Sequence, residues 1–266
     1  MSASVNEPLK NKVAAQLNLF YLALSFFTRL PVPKAMHYSE ALLNKANRYF
    51  SLVGIVTGLL LALSYVCFST FLPANISIVL IMTISLLITG AFHEDGFADT
   101  CDGFGGGWTK EKILLIMKDS RLGTYGVIGI IAVLSLKFIT LTYTPTAYIP
   151  LVIVSGHTIS RFIATTLLFT HPYVRDTEDS KAKPSAKCIT LRMLVISGMF
   201  GILPLFLFQD GWVFLTLIPA YLSKVFLGLK FKKWIGGQTG DCAGAVQQLS
   251  EIIFYLSLLV VWKFLW

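Results

Sequence analysis

Between Tyr49 and Leu72 the chain runs for 24 residues without one charged side chain, and this stretch narrows the possible folds more than any other feature. Apolar runs of about 18 residues or more read as membrane-crossing helices, because lipid offers no hydrogen-bond partner to a backbone that is not satisfied internally. The segments 75–92, 124–142, 148–169, 193–208, 211–229 and 250–266 join 49–72 as spans. The expected fold is therefore all-α: a polytopic membrane helix bundle of about seven transmembrane helices, forming a single integral membrane domain over residues 1–266. Residues 193–208 and 211–229 are separated only by "QDG", which marks a tight hairpin. Residues 14–30 are mostly apolar but include Gln16 and Asn18 and stop at "RLPVP", so a short interfacial or re-entrant helix is expected there in preference to an eighth span. The N-terminal stretch lacks the ordered features of a secretory signal and is kept in the mature chain.

The basic residues test this layout independently, since Lys and Arg collect in short cytoplasmic loops. Alternate connections hold Arg29, Lys34, Lys45 and Arg48, then Lys110, Lys112, Lys118 and Arg121, then Arg175, Lys181, Lys183, Lys187 and Arg192, then Lys230, Lys232 and Lys233. With Lys10 and Lys12 these make 18 of the 22 basic residues, and the opposite connections hold none. This pattern puts those loops in the cytoplasm and the C-terminus outside. The net charge of +8 is accounted for by topology, and a nucleic-acid partner is not needed.

The sequence "HEDGFADTCDGFGGG", residues 93–107, sets four carboxylates at the cytoplasmic end of span 75–92. An Asp at the bilayer centre costs roughly 2.5 to 3.5 kcal/mol, so four unpaired ones would cost on the order of 10 kcal/mol. A cation or a surface position must offset that. If the helix continues out of the span, Asp95, Asp99 and Asp102 fall on one face, at i, i+4 and i+7, with Glu94 on the flank. Hard oxygen ligands in that pattern suit Mg²⁺ or Mn²⁺ rather than zinc. Gly96, Gly103, Gly105, Gly106 and Gly107 would let backbone N–H groups approach phosphate oxygens. A surface helix at 108–121 is expected to carry Lys118, Asp119 and Arg121 toward the acidic centre. Arg161, inside its span, is read as functional or ion-paired, and His157 as either a core histidine or a functional one. Lys137 is read as snorkelling. "GGQTGDCAGA", residues 236–245, repeats the carboxylate-among-glycines pattern with Asp241 and Gly237. The four cysteines form no CxxC pair and are given no role.

Taken together, "ALSFFTRLPVP", "HEDGFADTCDGFGGG", "IMKDSRLGTYG", "SGHTISR" and "GGQTGDCAGA" resemble, in order and over nearly the whole chain, the adenosylcobinamide-GDP ribazoletransferase (cobalamin 5′-phosphate synthase) family. The resemblance implies a late step of vitamin B12 nucleotide-loop assembly at the cytoplasmic (inner) membrane, with the active site facing the cytoplasm. Adenosylcobinamide-GDP and α-ribazole 5′-phosphate (or α-ribazole) would be joined with release of GMP, and Mg²⁺ would be required. On that basis Asp95, Asp99 and Asp102 are expected to hold metal, with Glu94 in support. Asp241 is expected as an outer support or a ligand of a second ion, and one of these carboxylates or His93 would accept the proton from the attacking hydroxyl. Arg121 and Arg161 are the expected phosphate contacts, and Gly103, Gly105, Gly106, Gly237, Lys118 and Asp119 complete the substrate-binding set. The implied partners are these two substrates and the lipid bilayer; homo-oligomerisation is left open. Two rivals belong to other classes: a CDP-alcohol-type headgroup phosphotransferase, whose usual acidic spacing is absent, and a cation-coupled transporter, which would place its carboxylates nearer the midplane.

Overall fold

A computed structural model describes residues 12–119, 121–175 and 189–265. The expected basic residues Lys10, Lys181, Lys183 and Lys187, and Cys188, lie outside them. The described residues form α1 (Lys12–Phe27), α2 (Glu40–Ala46), α3 (Phe50–Ser69), α4 (Ala74–Thr89), α5 (Phe92–Gly106), α6 (Lys110–Ile116), α7 (Thr124–Thr142), α8 (Ile149–Thr170), α9 (Leu191–Ile202), α10 (Leu217–Ile235) and α11 (Gly240–Leu265), joined in places by 3₁₀ turns. There is no strand among them, only an isolated bridge between Tyr173 and Gln238. Six helical stretches are long and apolar enough to cross a membrane, and the bent pair α4 and α5 would make a seventh. α1, at 16 residues, falls short of a full span, as expected.

α8 is the axis of the bundle and is buried along almost its whole length. It packs against α3, where Gly54 and Gly58 stand one turn apart. A Cβ on Gly58 would come within 2.8 Å of Val154 Cα, and one on Gly54 would meet the His157 carbonyl. Small residues at this spacing let helix backbones approach closely in lipid, where packing rather than water drives association.

Three expectations about the helices are corrected. Span 75–92 does not continue into the acidic motif: α4 stops at Thr89, and α5 leaves at 87°. Gly90 (φ 64°) and Ala91 (φ 55°) both sit in the left-handed region, which ends one helix and starts another. α5 therefore lies across the end of the bundle and does not pass through it. The surface helix expected over 108–121 is confined to Lys110–Ile116, starting where the Thr109 side chain accepts from Lys112 N. The last helix begins at Gly240, ten residues before the expected start, because its polar first half is packed inside the protein. The expected hairpin at "QDG" is present as two 3₁₀ turns on either side of Gln209 and Asp210.

The connections gather at two ends. Tyr148 stacks on Phe208 at 6.3 Å and lies 5.7 Å from Trp262 at one end. At the other, Val174 N donates to Gln238 O at 3.0 Å, and Arg175 reaches the Met117 carbonyl. The second end is the one that carries α5.

Candidate active site at the acidic end of the bundle

α5 and α11 cross at glycines. A Cβ on Gly96 would lie 2.9 Å from Asp241 Cα, and one on Gly244 would lie 3.1 Å from His93 O. This close approach brings Asp241 to the face of α5 that carries Asp95 and Asp99. Asp95 is exposed and Asp99 half-buried. The Asp99 carboxyl is pushed up to about 7, first by burial and then by the negative charges of Asp241 and Asp95, with Arg175 opposing. Burial raises the Asp241 carboxyl too, with Asp95 adding to it and Arg175 opposing, so like charges are held close together on this face.

Among the described residues the cation that reaches into the cluster is Arg175, which the sequence pattern marked only for topology. Arg175 Nη2 lies 2.6 Å from Asp241 Oδ2, and it donates also to Met117 O at 3.1 Å. Its position follows from Gly237. The Pro172 carbonyl presses against Gly237, where a Cβ would not fit, and Gln238 N donates to that same carbonyl at 2.8 Å. The segment 172–174 is thus clamped to the turn before α11, which delivers Arg175 to Asp241. The sequence signal was weak, a lone arginine after "HPYV".

The four carboxylates of the motif divide into three jobs. Asp102, expected as a metal ligand, caps α7: its oxygens accept from Gly123 N at 2.7 Å and Gly126 N at 2.8 Å. An acid is favoured at a helix N-terminus, and side chains at 123 or 126 would collide with it. Glu94, expected beside the metal, points inward and accepts from Gln248 Nε2 at 2.9 Å. Only Asp95 and Asp99 keep the outward face. Among the described residues no three His, Cys, Asp or Glu side chains converge tightly enough to ring an ion. Asp95, Asp99 and Asp241 are the carboxylates that share this face, hard oxygen donors of the kind Mg²⁺ takes, with Asp241 held by Arg175.

Several expected substrate contacts are placed elsewhere. Arg161 is 1% exposed, bonded to the His157 carbonyl at 2.8 Å and lying over the Phe50 ring; in that position it cannot touch a phosphate. Arg121 pairs with Asp119 at 2.8 Å on the surface, and this pairing holds the Asp119 carboxyl below its ordinary range. Lys118 is exposed as well. Gly103 is filled by the Met117 side chain and Gly105 by the Tyr125 ring, so neither offers an open phosphate cradle; Gly106 stays exposed. Gly237 serves backbone packing. His93 is 2% exposed, set among the rings of Phe27, Phe50 and Phe92.

Beneath this surface lies an ionic network in the bundle. Glu251 Oε1 is 3.1 Å from Lys137 Nζ and 3.8 Å from His157 Nε2. Tyr255 and Gln247 donate to its two oxygens. Lys137 also donates to Gln248 at 3.3 Å, so it is ion-paired and does not snorkel. His157 is a core histidine within hydrogen-bond reach of Thr57 and Arg161.

Comparison with known proteins agrees with the motif order. The profile of the cobalamin-5-phosphate synthase family matches residues 19–259. Among curated proteins, the adenosylcobinamide-GDP ribazoletransferase of Shewanella frigidimarina is 49% identical, covering 92% of this chain and 95% of its own length. Those of Shewanella oneidensis and Shewanella amazonensis are 46% identical (92% of this chain, 95% of their own) and 43% identical (93% and 97%). No solved structure matches. With a matching profile across most of the chain and relatives this similar along nearly their full length, the chain belongs to the cobalamin-5-phosphate synthase family.

Proposed function

We propose that this chain catalyses the reaction for which its relatives are named, as a multi-pass transferase whose acidic end faces the cytoplasm at the inner membrane. A ribose hydroxyl of α-ribazole 5′-phosphate (or α-ribazole) attacks the cobinamide-linked phosphorus of adenosylcobinamide-GDP. An oxygen–phosphorus bond forms there, and the pyrophosphate bond breaks. GMP leaves, the hydroxyl proton passes to a carboxylate of the acidic face, and adenosylcobalamin 5′-phosphate (or adenosylcobalamin) remains. Asp95, Asp99 and Asp241 would hold Mg²⁺, which when bound supplies charge neutralisation on the phosphates. Arg175 is the arginine placed to meet a phosphate, because its partner Asp241 belongs to the set a cation would claim. α5 and the first turn of α11 keep these groups fixed against each other.

One observation carries the reading. Segments far apart in sequence, around 95–99, 175 and 238–241, are brought to one end of the bundle, and the charges of Asp95, Asp99, Arg175 and Asp241 face one another. The test is GMP release by purified protein in lipid, given both substrates and Mg²⁺. Asp99→Asn should abolish release, and Arg175→Ala should raise the KM for adenosylcobinamide-GDP about tenfold or more. Unaltered turnover in Asp99→Asn would exclude the acidic face as the reaction centre.

A further inference from the structure

Beside the acidic face lies a small aromatic cavity. Where the end of α1, the starts of α3, α5 and α11 and the end of α8 converge, a cavity of about 40 Å³ is lined by Phe26, Phe27, Phe50, Phe92, His93 and Ala243, with Asn47, Leu168, Gly240 and Gly244 completing the wall. Phe27 and Phe50 stack at 4.0 Å, and the Phe50 and Phe92 rings each lie 5.4 Å from the His93 ring. His93 Nε2 is buried and has no hydrogen-bond partner. A buried nitrogen left unpaired in an aromatic chamber is costly unless something else supplies its partner.

Resting on the function proposed above, we infer that this cavity is the subsite for the lower base: a flat, largely apolar benzimidazole whose ring nitrogen accepts a hydrogen bond from His93 Nε2. The space is enough for about three waters. That suits the leading edge of a planar ring and excludes a sugar or phosphate, which stay outside. Gly240, Ala243 and Gly244 in its wall flank Asp241 on the first turn of α11, so a base inserted here leaves its ribose next to the acidic face. Guanine, the other base in the reaction, carries several donors and acceptors along its edge that phenylalanines cannot satisfy. Offset and edge-to-face contacts with such rings favour an aromatic guest.

The test uses the full-length protein in nanodiscs. Free 5,6-dimethylbenzimidazole should compete with α-ribazole 5′-phosphate in wild-type protein without competing with adenosylcobinamide-GDP. Ala243→Leu, which fills the cavity from α11, should weaken binding of α-ribazole 5′-phosphate in equilibrium dialysis by tenfold or more, and move the KM for adenosylcobinamide-GDP by less than twofold. His93→Leu should weaken that binding similarly, with His93→Gln restoring part of it. The inference is overturned if the free base does not compete, if Ala243→Leu binds normally, or if the KM for adenosylcobinamide-GDP is the one that rises, which would place guanine there. Should Ala243→Leu fail to fold, the wild-type competition decides alone. Wild-type protein that releases GMP but shows no competition loses only the subsite; protein that releases no GMP loses the function reading as well.

Discussion

Replacing Lys137 with Met removes one cation from the buried network and nothing of similar length. Glu251 then keeps Tyr255 at 3.0 Å and Gln247 at 2.8 Å as donors, with His157 3.8 Å away. Removing one partner of a buried ion pair costs about 3 to 5 kcal/mol; two surviving donors put this case near the lower end, about 3 kcal/mol. At 1.36 kcal/mol per decade that is roughly a hundredfold in the unfolding equilibrium. If Lys137 counted only as one more interhelical hydrogen bond in a membrane, the loss would be about 0.6 kcal/mol. Glu251→Gln alone should cost more, because it leaves Lys137 and Arg161 with one anion fewer. The double variant Lys137→Met/Glu251→Gln should cost less than the sum of the singles by about 1 kcal/mol or more, since the two groups act on each other. Equilibrium unfolding in mixed micelles, followed by far-ultraviolet circular dichroism, measures all three. Additive costs, or a Lys137→Met cost below about 1 kcal/mol, would refute the view that the pair works as a unit of charge.

Two further outcomes follow from the acidic end. The Asp99 carboxyl, raised to about 7 in the fold from an ordinary value near 4, favours folding in full below about pH 4. That contribution is lost as pH rises through about 7, so in chelator the melting temperature of wild type should fall over this range relative to Asp99→Asn; parallel profiles would contradict the shift. Ala91→Gly should stabilise by about 1 kcal/mol, because a side chain in the left-handed region is strained by roughly 1–2 kcal/mol, and an unchanged or lowered melting temperature would show that Ala91 makes compensating contacts.

The order of the apolar helices was legible, six of them long enough to cross a membrane, because apolar length is a local property and lipid permits few ways to satisfy a backbone. What escaped the sequence reading was set by contacts between distant residues. Gly90 and Ala91 look like ordinary small residues in an apolar run, and nothing local distinguishes a straight passage into the acidic motif from an 87° turn. Gly54 and Gly58 were at a legible spacing, one helical turn apart, but only α8 gives the spacing its purpose. The start of α11 was missed for the opposite reason. Gln247, Gln248 and Glu251 lower its apparent hydropathy, yet each is 1% exposed and bonded to other interior polar groups, so the segment is a buried helix with a polar inner face.

In the acidic motif, helical periodicity was the right tool, and its limit was the partner it could not see. The 100° between neighbouring positions separates Glu94 from Asp95, so one carboxylate turns into the bundle while the next faces out. Asp102 shares a face with Asp95 and Asp99 by spacing, but the amides of Gly123 and Gly126 claim it, and this gives "GTYG" its own reason to carry two glycines. The remaining charge is arranged by depth. Inside, Glu94 and Glu251 lie in the same network as Lys137 and Arg161, so the buried formal charges cancel. At the surface, Asp95, Asp99 and Asp241 face Arg175, and among the described residues negative charge is in excess there. An interior that neutralises itself contributes rigidity and asks for no ligand. An end that does not neutralise itself is where a cation and the phosphates it accompanies gain most by binding, and the same α5 and α11 carry residues of both.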